Sequence, residues 1–535
     1  LSFDNRFSKL EAVSRFPPNK KPDCVIWDFI RPVDFRYNHL EVLGRCGLIS
    51  PLPAGLPSLN RAKSNLFTKL PNNVRELLKQ QAGDFYPVYG TLDNVRISIA
   101  KMDREPVRLY EQDPYFEPAV DYVYDMLNPA FRQTRILTTE EVLPTIEMGA
   151  SAGQPYGYYG IRTKRDFYSC PECVEQLFDP HIFQSRPVWK IVPKREWLEA
   201  SEIMSGKVRT FIVPPVPVVH WGKIIYGHQS ELLKMYEWSA YGFNPYQGGT
   251  DLLAQTLLRN NLFLMYDVKG WDRLLPILEM VYELRNDYIP DKYIEAYTWL
   301  TECMVRSFLL MPDGIIFFKG WGNNSGSPNT TTDNIIAHMF IFALFLFRLY
   351  KGDMSRIVKA VCRLFGDDNV SSLPEVDEGV DVEAVLVETF ALFGLTLDPI
   401  LVTRNIEDLE FLGFSFKREM GRFIPKYKVS RLAASFVYDI DKGVTVTTTI
   451  QKAWSLTVMS AGSGREVYQT FATALMFYYQ MCEGRQDTTI RAYLEMGVPT
   501  YEEVMSFYLG LESSIDVSKL SISEDGGINV QHVRA

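Results

Sequence analysis

Between residues 250 and 430 the apolar and polar positions follow three distinct patterns. Leu262 to Asp267 (LFLMYD) is a short unbroken apolar run ending on an acid, which predicts a buried strand. Asn334 to Tyr350 (NIIAHMFIFALFLFRLY) is apolar nearly all round and long enough for a buried helix. Arg356 to Leu373 reads strand, tight turn, strand, with Gly366-Asp367-Asp368-Asn369 at the turn. Asp381 to Phe393 predicts a helix whose early acids, Asp381 and Glu383, suit the positive end of its dipole, and Gly394 stands where a C-terminal cap belongs. Leu409 to Phe416 and Arg422 to Val429 predict a second hairpin. From Ser430 the chain reads as mostly helical, ending in a polar tail, Ser521 to Ala535.

Upstream the pattern is less regular. Residues 60–150 look mixed and mostly helical, as at Val74 to Gln81 and Pro118 to Met126. A Gly/Tyr-rich loop follows at Gly149 to Gly160. Pro51 to Pro57 is an irregular punctuation, and Arg15 to Cys24, rich in proline and lysine, predicts an extended arm. There is no internal repeat and no low-complexity stretch.

Composition narrows the class. With 46% apolar and 23% charged residues, disorder and collagen-like structure are excluded. At about 150 residues per domain, 535 residues predict three to four domain-sized units. The longest uninterrupted apolar run, Met339 to Phe347, is far short of the ~20 residues of a membrane span. The opening LSFDNRFSKL has neither an apolar core nor a cleavage pattern, and without an initiator Met the chain is expected to be trimmed or processed. Seven scattered cysteines fit a reducing compartment better than a disulfide scaffold. These features predict a soluble, intracellular, multi-lobed protein. The net charge of -9 argues against an outer surface that coats nucleic acid. Salt screens charge over ~8–10 Å, so a basic channel within an acidic shell stays open. Residues 185–225 are in fact locally basic, with seven cations against three glutamates.

The candidate chemistry rests on carboxylates. If the 262–267 strand and the 366–369 hairpin are neighbours in one sheet, Asp267, Asp367 and Asp368 converge at one edge. Crowded carboxylates repel and are costly to desolvate. Hard divalent cations relieve this, and Mg²⁺ favours a few carboxylates plus substrate phosphates. Taken alone, Gly-Asp-Asp-Asn is simply a good turn sequence, and short motifs recur by chance. Its company changes the odds. Upstream stands Asp267-x4-Asp272, and between them Ser325-Gly326-x3-Thr330-x3-Asn334.

In that order these three motifs resemble palm motifs A, B and C of viral RNA-dependent RNA polymerases. Gly206-Lys207-Val-Arg209-Thr-Phe-Ile-Val resembles the basic fingers motif F. Ser151-Ala-Gly153-Gln-Pro155, followed by Lys164-Arg165, resembles motif G at the template entrance, and Phe411-Leu-Gly-Phe414 resembles motif E. Chain length, Asp-Asp-Asn after Gly366 and the Phe411 to Phe414 motif look most like picobirnavirus or partitivirus enzymes of small double-stranded RNA viruses.

The resemblance implies an α/β (α+β) right hand. Residues 1–130 would bridge fingers to thumb, 131–255 form fingers, 256–425 an antiparallel palm with 277–315 contributing to fingers, and 426–535 the helical thumb and tail. It implies two divalent ions, Mg²⁺ with Mn²⁺ as the alternative, on Asp267 and Asp367 with Asp368 auxiliary. Asp272 and Asn334 would sense the ribose 2′-OH, although Asn334 also suits the N-cap of the helix that follows. Ser325, Gly326 and Thr330 would form a mobile loop at the nascent pair. Lys207 and Arg209 would clamp the triphosphate; a solvated basic face is the plainer alternative. Ser151, Gly153, Pro155, Lys164 and Arg165 would contact template. The implied partners are template and nascent RNA, NTPs and a viral capsid protein, with no membrane, in the virion interior and the host cytoplasm.

Where the family uses a lysine as general acid, the nearest candidate is Arg404, and arginine scarcely gives up a proton. Cys170 and Cys173 have zinc-like spacing, but His181 is their lone neighbour and an ordinary loop explains them better. The acids of Glu375 to Glu383 read as a solvated loop and helix start. Tyr156, Tyr158 and Tyr159 either stack on template bases or pack their own loop. Two rivals remain: a reverse transcriptase or DNA polymerase sharing the palm acids, and a catalytically silent protein that binds RNA or capsid.

Overall fold

A computed structural model describes residues 24–55, 58–59, 64, 66–271, 276–439, 444–516, 518 and 520; the side chains of 24, 25, 58 and 59 are outside that description. The proline-rich arm, apart from the backbone of Cys24, and the polar tail lie outside the described residues, as does Asp272.

The centre of the fold is a four-stranded antiparallel sheet in the order Val361–Phe365, Asp368–Leu373, Leu262–Val268, Leu397–Thr403. Leu264, Tyr266 and Val268 enter one core, beneath the helices Thr330–Leu349 and Val382–Ala391. Phe263 enters a second core with Phe411, Phe414 and Trp454. Both faces are therefore covered, which is why this strand reads as a continuous apolar run instead of alternating. Cys362 and Leu364 against Val361 and Phe365 repeat the division two strands away.

The expected hairpin is present, with Val361 opposite Ser372 and Phe365 opposite Asp368. The helix 382–391 is capped by Asp381, whose side chain accepts from Ala384 N at 3.0 Å, and it is followed by Gly394 at φ 68°. The second hairpin proves to be a three-stranded sheet. Phe414–Glu419 pairs with Arg422–Tyr427 as expected, and a turn at Leu412-Gly413, both at positive φ, folds Glu410–Phe411 back onto Phe414.

Helix Thr330–Leu349 passes the length and composition test for a membrane span, but 94% of that window is buried inside the protein. The sequence expectation counted only uninterrupted apolar residues; here the helix is a core element. In the mostly helical 60–150 region, Asn72–Ala82 and Phe116–Phe131 form as expected, together with a strand, Phe85–Tyr89.

A five-stranded sheet gathers distant stretches in the order Glu41–Arg45, Ile315–Lys319, Ser307–Leu310, Val188–Pro193, Thr210–Val213. Beyond residue 428 the described residues are mostly helical, and Asn72–Ala82 packs on two of these helices, Val429–Val437 and Arg465–Cys482. Phe85–Tyr89 in turn pairs with Glu196–Glu199, and Lys428 reaches Glu199 at 2.9 Å.

Candidate active site

Asp267 is the sixth residue of its strand and the first whose side chain emerges from both cores, and it is exposed. The hairpin strand runs antiparallel beside it, with Ser371 opposite Leu264 and Leu373 opposite Leu262. Continued toward the turn, that register sets Asp368 level with Asp267. Asn369 keeps the strands together there: its amide accepts from Tyr266 N at 3.3 Å and donates to Tyr266 O at 2.7 Å and to Asp367 O at 3.2 Å. Asp367, at the turn, is exposed as well. Two acids a hundred positions apart thus share one open sheet end.

Asp368 differs from both. It is partly buried, and its Oδ2 accepts from Leu412 N at 2.7 Å. Burial pushes its carboxyl up to about 7, with the charge of Asp367 adding to the shift. A positive ion would offset both effects, so the donor set of hard oxygens suits Mg²⁺ or Mn²⁺. Among the described residues no three acidic, imidazole or thiol side chains form a closed metal cage. An ion at this edge would complete its shell with water and substrate, as Mg²⁺ commonly does.

A histidine that the sequence reading passed over lies directly beneath. His338 is fully buried on the helix Thr330–Leu349; Nδ1 lies 3.1 Å from Gly366 O and Nε2 lies 2.7 Å from Tyr266 OH. A carbonyl only accepts, so Nδ1 carries the proton and Nε2 accepts from the tyrosine. Burial drives the imidazole down to about 4, which keeps it neutral. Its signal in the sequence was a single polar position within the apolar stretch from Ile335 to Phe347.

The same helix places Asn334 one turn earlier, about 6 Å along the axis. The helix starts at Thr330 with Asn329 at its N-cap, so the capping alternative for Asn334 is excluded. Asn334 is buried and accepts from Asn323 Nδ2 at 2.9 Å. Beside it Asp333 and Arg285 form an ion pair with no exposed side-chain area, and Tyr282 OH donates to Asp333 at 2.7 Å. This network also went unseen, because Arg285 lies 48 positions away.

Strand Thr210–Val213 collects three of the expected motifs. Ser325 Oγ accepts from Ile212 N at 3.2 Å. A Cβ at Gly326 would stand 2.1 Å from Ile212 O, so the close approach requires glycine. Gly153, at φ 78°, packs in the same way on Pro214 and Pro215, just beyond the strand. Ser151 Oγ caps that loop by accepting from Gly153 N at 3.1 Å, and Pro155 opens the single turn Tyr156–Tyr159. Thr330 Oγ1 ties the 324–330 loop by donating to Asn324 O at 2.7 Å.

The cations there are already engaged. Lys207 pairs with Glu202 at 2.5 Å, and Arg209 makes a two-pronged contact with the buried Glu196. Both side chains are more than half exposed, 58% and 56%, so they also form the solvated basic face of the plainer alternative, and binding a phosphate would require a change of partner. Lys164 is half-buried, which lowers its pKa, while Arg165 is exposed. Arg404 is exposed just past the sheet-edge strand. Cys170 and Cys173 are buried and packed with Phe167, Leu177 and Val216; the expected loop is instead the short helix Pro171–Leu177, with Cys170 at its N-cap. Tyr156 is buried in that cluster and Tyr158 is 63% exposed, so only the latter offers an open face. In the acidic stretch, Asp377 pairs with Arg356 at 2.7 Å.

Comparison with known proteins finds viral relatives. The genome polyprotein of Plum pox potyvirus (strain El amar) is 27% identical over 342 residues, covering 61% of this chain and 22% of that protein. The genome polyprotein of Zucchini yellow mosaic virus (strain Singapore) is 26% identical over 63% of this chain and 11% of its own length. The non-structural polyprotein 1AB of Human astrovirus-5 is 24% identical over 44% and 17%. The chain therefore spans less than a quarter of the curated relatives it matches here. A family model described as viral RNA-dependent RNA polymerase matches residues 127–480, well over half the chain and including every acid above. On that match, and with its two acids at one sheet end, this chain belongs to the viral RNA-dependent RNA polymerase family.

Proposed function

We propose that this chain copies RNA from an RNA template, joining ribonucleotides to an RNA 3′ end. The observation that carries the reading is the convergence of Asp267 and Asp367 at one open sheet end, within a chain of this family. Asp267 and Asp367 would hold two Mg²⁺ ions, with Mn²⁺ as the alternative, and Asp368 would assist. When bound, those ions neutralise charge on the attacking and leaving oxygens of phosphoryl transfer.

The remaining residues bind and orient. Lys207 and Arg209 exchange their glutamates for the triphosphate. Asn334, with Asp272, reads the ribose hydroxyl, since a site built to hydrogen-bond a hydroxyl rejects the analogue lacking it. Ser325, Gly326 and Thr330 shape the loop beneath the new pair. Ser151, Gly153, Pro155, Lys164 and Arg165 guide template. No general acid is assigned, because Arg404 is poorly suited to give up a proton.

In this reading the four-stranded sheet is the palm and the helices after residue 428 are the thumb. The contacts of 72–89 with both the late helices and Glu196–Glu199 support a bridge between fingers and thumb. The strands Ser307–Leu310 and Ile315–Lys319, in one sheet with 188–193 and 210–213, support the share of 277–315 in the fingers. The finer kinship with small double-stranded RNA viruses rests on chain length, on Asp-Asp-Asn after Gly366 and on Phe411 to Phe414. With it go a capsid partner and action in the virion interior and host cytoplasm.

Template RNA, labelled NTPs and Mg²⁺ test the reading. Labelled polymer is expected, with at least a 1,000-fold loss, roughly the upper range for a preorganised electrostatic group, in Asp367→Ala and in Asp267→Ala. No polymer from the wild type, or full activity in Asp367→Ala, would overturn it. Efficient use of dNTPs would favour a reverse transcriptase instead.

A further inference from the structure

His338 touches neither Asp267 nor Asp367 through the contacts described, yet it holds the residue before each. Its Nε2 accepts from the hydroxyl of Tyr266, next to Asp267, at 2.7 Å. Its Nδ1 donates to the carbonyl of Gly366, next to Asp367, at 3.1 Å. Asn369 closes the circuit from the sheet side by bonding Tyr266 and the Asp367 carbonyl. The imidazole is walled by the rings of Trp271, Tyr266 and Phe390, with centroids at 4.8, 5.6 and 6.2 Å. Its helix runs through the core, so the ring is held by rigid packing on the side away from solvent.

We propose that His338 is a positioning residue that sets the spacing of Asp267 and Asp367, and through it the affinity of this edge for divalent ions. Beside the imidazole, the two acid-bearing segments are joined at Asn369 and along the ladder from 262–264 to 371–373. Two carboxylates repel when their spacing is free to change, and a fixed spacing is what an ion binds most tightly. A neutral ring suits the task because it bonds both segments while adding no charge that would compete with a cation. The proposal rests on the metal-binding role assigned above.

The test uses the full chain and Mn²⁺ alone, with binding followed by the electron paramagnetic resonance signal of the free ion, beside single-nucleotide incorporation. His338→Leu is expected to weaken Mn²⁺ binding by about 10–100-fold and to lower kcat similarly, while KM for NTP at saturating metal and affinity for RNA stay within about twofold. His338→Asn, whose amide can keep the Gly366 bond, is expected to bind Mn²⁺ more tightly than the leucine variant. Tyr266→Phe, which deletes a single hydroxyl, is expected to lose roughly fivefold in Mn²⁺ affinity, and it decides the matter if the leucine variant does not fold. Wild-type Mn²⁺ affinity in Tyr266→Phe, or equal losses in the leucine and asparagine variants, would overturn the proposal. A wild-type chain that binds Mn²⁺ but makes no polymer would sink the polymerase reading alone.

Discussion

Two buried polar networks hang from the helix Thr330–Leu349, about one turn apart, and they are built on opposite principles. At its start, Asp333 and Arg285 form an ion pair with no solvent contact, completed by Tyr282, Gln229, Ser230 and the carbonyl of Tyr226. Further along, His338 makes two neutral hydrogen bonds between the acid-bearing segments. The charged network bolts the helix start to the helices Val216–Leu232 and Leu278–Asn286. A buried charge is strongly specific in its partners but costly to strip of one. The neutral network lies beside the carboxylates proposed to hold divalent ions, where a fixed charge would compete. Charge thus locks the scaffold in place, and neutrality serves the site.

Breaking the charged network should have the largest effect on stability. Arg285→Met leaves Asp333 buried without its ion-pair partner, and a loss of about 3–5 kcal/mol in urea unfolding is expected. Burial already pushes the Asp333 carboxyl above its ordinary value against the pull of Arg285, so part of that loss should be recovered at low pH, where the carboxyl protonates.

Acid should act on the neutral network with the opposite sign. The folded His338 titrates near 4, below the ordinary value near 6.5, so the unfolded chain takes up its proton first. Stability from this group is complete above pH 6.5 and is lost as the pH falls toward 4, by about 3 kcal/mol. Asp368, raised to about 7, titrates in the same range with the opposite sign, so the measurement has to be differential. The wild type should lose about 3 kcal/mol relative to His338→Asn between pH 6.5 and 4. Parallel curves would show that His338 is protonated in the fold.

A matched pair of hydroxyl deletions gives the smallest and sharpest comparison. Tyr282→Phe removes a bond to a charged acceptor and should cost about 1.5–3 kcal/mol of stability; Tyr266→Phe removes a neutral one and should cost about 0.5–1.5 kcal/mol. Incorporation rate per folded molecule should follow the reverse order, with Tyr266→Phe the slower enzyme. The same order in both measurements would mean that the two networks do one job.

Local chemistry made much of this molecule legible in advance. The run from Leu262, the hairpin around Gly366 and the helix after Asp381 form as read, because period, turn residues and caps act within a few positions. Asp267 and Asp367 could be named as partners from motif order, and the register brings their segments side by side. What could not be read were relations across distance. Asn334 was open to a capping role until the helix was seen to start four residues earlier, at Thr330. Lys207 and Arg209 were read without the glutamates that hold them.

The sequence by itself determined which local segments become strands and helices, and which acids and cations are available for the chemistry proposed above. Tertiary structure decided which carboxylate emerges into solvent and which is half-buried against Leu412. It also decided that one histidine in a core helix reaches both acid-bearing segments. The division has a physical cause: backbone preferences are set by neighbours in the chain, whereas desolvation and hydrogen-bond partnership depend on whatever the fold carries alongside from tens or hundreds of residues away.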